Sequence, residues 1–113
     1  MKKKILAIDR DDFVKATDDY NSVHFGPEGI AHGCHVLGWA VGQVVEDGDV
    51  ITGFSDVQFR YPVYLGEEIE VKVIASTLTG RCVRVGVSIG DVQAVVFTMW
   101  KRGDKEHAQA SSD

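Results

Sequence analysis

Between Ile30 and Val45 the apolar residues fall on every side of a helix. Ile30, Ala31, Cys34, Val36, Leu37, Trp39, Ala40, Val41, Val44 and Val45 leave no continuous polar face at 3.6 residues per turn. A helix apolar all round is buried all round, so this segment predicts a long central helix that other elements wrap. At 1.5 Å per residue it is roughly 24 Å long, too short to span a bilayer comfortably. Gly33, Gly38 and Gly42 lie within it. Each costs on the order of 1 kcal/mol of helix propensity, which predicts close approach of backbone or ligand at those positions.

The period of the pattern changes after Asp49. Val57, Phe59 and Tyr61 alternate with Gln58 and Arg60, while Val83, Val85, Val87 and Ile89 alternate with Arg84, Gly86 and Ser88. Period-two alternation predicts half-buried antiparallel strands. Glu67 to Leu78 predicts another strand and Thr79-Gly80 a turn, and Gly90-Asp91 is a two-residue hairpin signal before a last strand from Val92 to Trp100. Tyr61-Pro62 must end or bend its strand. Upstream, Lys4 to Ile8 reads as a short strand. Asp9 can cap a helix running to about Asp19, with Asp11 and Asp12 in its first turn and Phe13, Ala16 and Tyr20 at helical spacing. Asn21 to Gly29 predicts a loop, and that loop carries His24. The order implies an α+β domain over residues 1–102, one curved antiparallel β-sheet wrapped around one long central apolar helix. The polar residues 103–113 have nothing to bury and predict a disordered tail.

A chain of 113 residues holds one modest core and no second domain of ordinary size. Its 12 basic and 17 acidic residues leave a net charge of −5, the wrong sign for a general polyanion binder, so no nucleic acid partner is expected. The apolar stretch near the N-terminus stops at Asp9-Arg10, short of a signal-peptide core or a membrane span, so the chain reads as cytoplasmic with no membrane partner. Cys34 and Cys82 lack the density and spacing of a disulfide framework and predict buried free thiols. Arg60, Arg81, Arg84, Lys101 and Arg102 are scattered along strands and read as charges that solvate a face.

Asp18-Asp19 falls at the C-terminal end of the first helix, where the macrodipole disfavours a carboxylate. His24 follows five positions later and cannot share a helical face with Asp19, but a turn at Asn21-Ser22 can bring the two together. A carboxylate beside an imidazole can move protons near neutral pH. Asn21 is either the residue that makes this turn or a direct contact to substrate, and the turn role fits its chemistry better. At the head of the apolar helix stands Ala31-His32-Gly33. Helix N-termini present unpaired N–H groups, and the Gly33 amide has no side chain to keep a carbonyl oxygen away. His32 and His35, with Cys34 between them, share a helical face, but no further Cys or His completes a metal set.

Asp19-Tyr20-Asn21-Ser22-Val23-His24, Ile30-Ala31-His32-Gly33 and the run from Phe59 through Arg60-Tyr61-Pro62-Val63-Tyr64-Leu65-Gly66 to Glu67 resemble the MaoC-like, R-specific enoyl-CoA hydratases and dehydratases. The resemblance covers about Phe13 to Trp100. It implies the hotdog fold, with Asp19 and His24 activating water, the Gly33 amide holding the thioester oxygen, and His32 and Asn21 beside them on the substrate side. The implied reaction is reversible addition of water to a trans-2-enoyl-CoA or enoyl carrier-protein thioester, giving an (R)-3-hydroxyacyl thioester. It is a hydro-lyase reaction of fatty acid metabolism that needs no metal and no organic cofactor. A hotdog thioesterase with Asp19 alone as base, or a non-catalytic acyl-thioester-binding protein, would use the same helix end. A homodimer or higher homo-oligomer is expected, because one small sheet leaves an edge and apolar surface exposed.

Overall fold

The computed structural model describes residues 1–103. Strand β1 (Lys2–Lys4) leads into helix α1 (Ala7–Thr17), a single 3-10 turn (Ser22–His24) and helix α2 (Gly33–Val44). Four strands follow: β2 (Asp49–Phe59), β3 (Glu68–Ser76), β4 (Cys82–Ile89) and β5 (Val92–Gly103). They form one antiparallel sheet in the order β1-β3-β4-β5-β2, which leaves β1 and β2 as its edges.

The central strands follow the period-two pattern. Val83, Val85 and Val87 of β4 turn the same way into the core, where they meet Val95, Phe97 and Met99 of β5 and Ile69 and Val71 of β3. Val36 and Ala40 of α2 pack into the same cluster, four residues apart on one helical face. Gly90 takes a left-handed φ of 57° between Ile89 and Val92, which pair directly, so the expected two-residue hairpin is present. Strand β5 runs on to Gly103, three residues past the expected end, because β2 continues to offer partners as far as Asp49. Residues 104–113, which make up all but the first position of the expected tail, lie outside the described residues.

Several expectations are corrected. The central helix has 12 residues, because Ile30 pairs with Tyr64 in an isolated bridge and Ala31 donates to the Val63 carbonyl before helix geometry begins. Nor is it buried all round. Val36 and Ala40 face the sheet, while Cys34, Gly38 and Gly42 form an exposed stripe on the opposite side. A single sheet reaches only one face of a helix, so Cys34 is an exposed free thiol; Cys82, at the start of β4, is a partly exposed one. A methyl group at Gly38 or Gly42 would meet nothing within 4 Å, so close approach is confined to Gly33. The Val57 and Phe59 side chains, and Tyr61 just past the end of β2, are exposed because β2 is an edge strand.

Helix α1 begins three residues earlier than expected, with Leu6 rather than Asp9 at its cap. Asp9 sits inside its first turn, where the carboxylate accepts the Leu6 N–H at 2.9 Å. The segment expected as a strand is therefore divided. Ile5 is fully buried below the sheet edge, and Ile8 lies exposed on the helix. The helix stops at Thr17 because Asp18 adopts the left-handed conformation (φ 57°) and donates its N–H to the Val14 carbonyl. Phe13 and Val14 carry the inward face, whereas Ala16 and Tyr20 are exposed.

Candidate active site

The stop at Asp18 aims the next residues across the head of α2. Asp19 Oδ1 accepts the Asn21 N–H at 3.2 Å, and Asn21 Oδ1 accepts the Val23 N–H at 3.2 Å, so two successive side chains wind the chain into the 3-10 turn. Asn21 is thus the residue that makes the turn, and it does not line the cavity described below. The turn delivers His24, 9% exposed, into the space between Asp19 and α2.

Hydrogen bonding defines the His24 ring. Nδ1 lies 2.7 Å from the Ile30 carbonyl oxygen, which can only accept, so Nδ1 carries the proton and Nε2 presents a lone pair in the neutral ring. That Nε2 faces Asp19 Oδ2 at 3.7 Å. His32, 2% exposed, caps α2 and has the opposite tautomer, because its Nε2 donates to the Asp19 carbonyl at 3.1 Å. Its Nε2 also lies 3.6 Å from Asp19 Oδ2, while its buried Nδ1 has no partner among the described residues. The two imidazoles stack, with centroids 3.5 Å apart and planes 21° from parallel. His32 therefore holds Asp19 by its backbone and supports His24 by its ring face.

Phe13 from α1 closes the back of this column, between His32 (4.7 Å) and a parallel-stacked His35 (4.8 Å). Burial pushes the pKa of His35 below the usual 6.5, against the opposing pull of Asp9. The sequence contains Phe13 at helical spacing, but nothing in its pattern sets it between two histidines from another helix.

A cavity of about 490 Å³ opens onto these groups. One end is polar, formed by Asp19, His24, His32 and the Gly33 amide; the remainder is walled by Phe13, Val36, Phe59, Tyr61, Val63 and Val95. Gly33 is the first residue of α2, and neither its N–H nor that of Cys34 meets an acceptor among the described residues. The absence of a side chain at Gly33 is required by packing, since a Cβ there would fall 2.9 Å from Phe59 Cε1. Phe59, half exposed on the edge strand, therefore leans directly on the helix end. It belongs to the Phe59–Glu67 run singled out in the sequence, but its contact with Gly33 is a product of tertiary structure.

Asp19, His24 and His32 each place one metal-ligating atom within 4.8 Å of the others. The stacking of the rings opposes shared coordination. Imidazole lone pairs lie in the ring planes, and those of two stacked, near-parallel rings with centroids 3.5 Å apart do not converge on a point one metal–nitrogen bond away. His32, Cys34 and His35, which share a helical face in the sequence, point to different surroundings, since His35 turns to Phe13 and Cys34 to solvent.

No family model matches the chain, and no curated protein matches it in sequence. Solved structures do. The (R)-hydratase from A. caviae involved in PHA biosynthesis superimposes with a TM-score of 0.72 at 22% identity, covering 90% of both chains. The dehydratase heterocomplex ApeI:P from Xenorhabdus doucetiae gives 0.63 at 13% identity, over 88% of this chain and 82% of that one. This chain has the hotdog fold. A variant of the fluoroacetyl-CoA-specific thioesterase FlK, in complex with fluoroacetate and CoA, shares the hotdog fold at 12% identity and a TM-score of 0.58, with 95% and 93% covered. Hydration, dehydration and thioester hydrolysis are thus all carried on backbones like this one. Among the described residues no helix is long and apolar enough to cross a membrane.

Proposed function

We propose that this hotdog protein is an acyl-thioester hydratase/dehydratase, adding water reversibly to a trans-2-enoyl thioester of coenzyme A or a carrier protein. The observation that carries the reading is the pairing of two hydrogen-bond acceptors, Asp19 Oδ2 and His24 Nε2, 3.7 Å apart in the cavity that Gly33 also lines. Two hydrogen bonds of about 2.8 Å reaching atoms at that separation subtend roughly 80°, so one water can donate a proton to each. Its oxygen lone pair is then left facing the cavity.

The chemistry follows from these positions. The thioester carbonyl accepts from Gly33 N–H, which stabilises the enolate oxygen that develops as water adds to the β carbon. Asp19 or His24 takes the proton from the attacking water, and the group so protonated returns it to the α carbon. His32 keeps Asp19 in place through its carbonyl. In reverse the same groups dehydrate a 3-hydroxyacyl thioester, with the R configuration that the sequence resemblance implies. A homodimer joined along the free edge of β2, with Phe54, Val57 and Phe59 exposed there, would cover that apolar surface.

The test is to mix purified protein with crotonyl-CoA and follow enoyl-thioester absorbance together with free thiol. Loss of absorbance without thiol is the expected result. Release of thiol would make the protein a thioesterase, with Asp19 directing water at the carbonyl; binding with neither change would make it a non-catalytic acyl-thioester protein.

A further inference from the structure

Arg10 belongs to α1, lies fourteen residues before His24, and has no part in the chemistry above. Its side chain is only 13% exposed, an unusual place for a guanidinium. Nη1 donates to the His24 carbonyl at 3.1 Å. Nε and Nη2 both donate to Asp11 Oδ1, at 3.0 and 2.9 Å, which fixes the group's orientation from its own helix. Its guanidinium carbon lies over the Phe25 ring, 4.6 Å from the centroid. One side chain therefore grips two consecutive loop residues, His24 through its carbonyl and Phe25 through its ring.

The grip acts where the loop is tightest. A Cβ on Gly29 would come within 2.7 Å of the same His24 oxygen, so this carbonyl is crowded by the returning chain. The 3-10 turn also ends at this point, and a cation at its C-terminal carbonyl complements the local dipole. Without that grip on the His24 carbonyl and the Phe25 ring, the segment can shift as a whole and carry the His24 Cα and its ring with it. The Nδ1 bond to Ile30 would break and Nε2 would leave its position opposite Asp19.

We infer that Arg10 is a positioning residue that clamps the His24–Phe25 peptide and so holds the His24 imidazole in register with Asp19. The inference deepens the hydratase reading and rests on it for its kinetic consequence. Misplacing a reacting group by about 1 Å can cost on the order of 100-fold in rate. Arg10 does not line the cavity, so binding is left out of the effect.

The experiment compares wild type with Arg10→Met and Arg10→Lys. Arg10→Met is expected to lower kcat for crotonyl-CoA about 10- to 100-fold with KM within about twofold. Arg10→Lys can still reach the carbonyl but cannot lie flat on Phe25, and should recover part of the loss. The readout that a merely structural role would not move is the imidazole N–H resonance of His24, protected in wild type by Ile30; it should exchange with solvent faster in Arg10→Met, measured well below the melting temperature. Unchanged kcat in a folded Arg10→Met protein, or an unchanged His24 resonance, overturns the inference. If Arg10→Met does not fold, Phe25→Leu removes only the stacking surface and should lower kcat severalfold at constant KM; unchanged kcat again overturns it. Should wild type leave crotonyl-CoA and longer enoyl thioesters untouched, the hydratase reading fails, and the resonance measurement still decides the clamp.

Discussion

Replacing Asp19 with Asn separates chemistry from architecture, because the amide keeps the shape of the carboxylate and loses only its charge and one acceptor. Oδ1 of the Asn can still accept the Asn21 N–H, so the turn that delivers His24 survives. The side chain is half exposed, and a carboxylate just past the end of α1 opposes the helix dipole by a few tenths of a kcal/mol. Stability should therefore change by less than about 0.5 kcal/mol, with a small gain as the favoured sign. Activity should respond on another scale. Oδ2 becomes an NH₂ group, a donor facing His24 Nε2, and a water between them can no longer donate to both. Loss of a general base costs typically 10²- to 10⁴-fold, or about 2.7–5.5 kcal/mol of transition-state stabilisation. The assay is initial-rate hydration of crotonyl-CoA at saturation, paired with urea unfolding of the same preparation. Turnover within about threefold of wild type would refute the role of Asp19. Turnover that falls only in proportion to the folded fraction would refute the separation of roles.

His24→Ala should match that loss of turnover but also destabilise the fold by about 1–3 kcal/mol, because the Ile30 carbonyl loses its donor; unchanged urea midpoints would contradict the buried hydrogen bond. Gly33→Ala should cost about 1–3 kcal/mol through the contact with Phe59, and Gly33→Ala combined with Phe59→Ala should be less destabilised than the sum of the two single changes, as read from a double-mutant cycle. The lowered pKa of His35 means that the unfolded chain takes up a proton there before the folded one. Melting temperature should thus lose stability as pH falls below about 6.5, and His35→Gln should flatten that part of the profile; an unaltered slope would show that His35 is not responsible.

Edge exposure explains why β2 and the outer face of α2 departed from what their patterns imply. Val57, Phe59 and Tyr61 alternate as regularly as Val83, Val85 and Val87, yet only β4 has a strand on either side and a helix beneath it. Alternation reports that one side of a strand is apolar; what covers that side is decided by strand order. The apolar circumference of α2 likewise does not say which half meets the sheet. Cys34, Gly38 and Gly42 are the half that does not.

The candidate site divides along the same line. Sequence alone determined the elements and the reactive types: period-two runs for strands, an apolar run for α2, a helix stop at Asp18-Asp19, and Asp19, His24 and Gly33 at spacings that a turn and a helix end make useful. These are local properties, set by backbone preferences and by side chains reaching a few residues along the chain, as the Asp19–Asn21–Val23 hydrogen bonds illustrate. Only tertiary structure decided the tautomers and the packing. The Ile30 carbonyl accepts from His24 Nδ1 and so keeps the proton there, the Asp19 carbonyl accepts from His32 Nε2, and Phe59 and Phe13 arrive from a distant strand and another helix. Arg10, a charged residue on a helix surface by its pattern, reaches His24 fourteen residues away. Such contacts depend on how the elements cross in space, and that is fixed by burial of the shared core rather than by any pattern within one element.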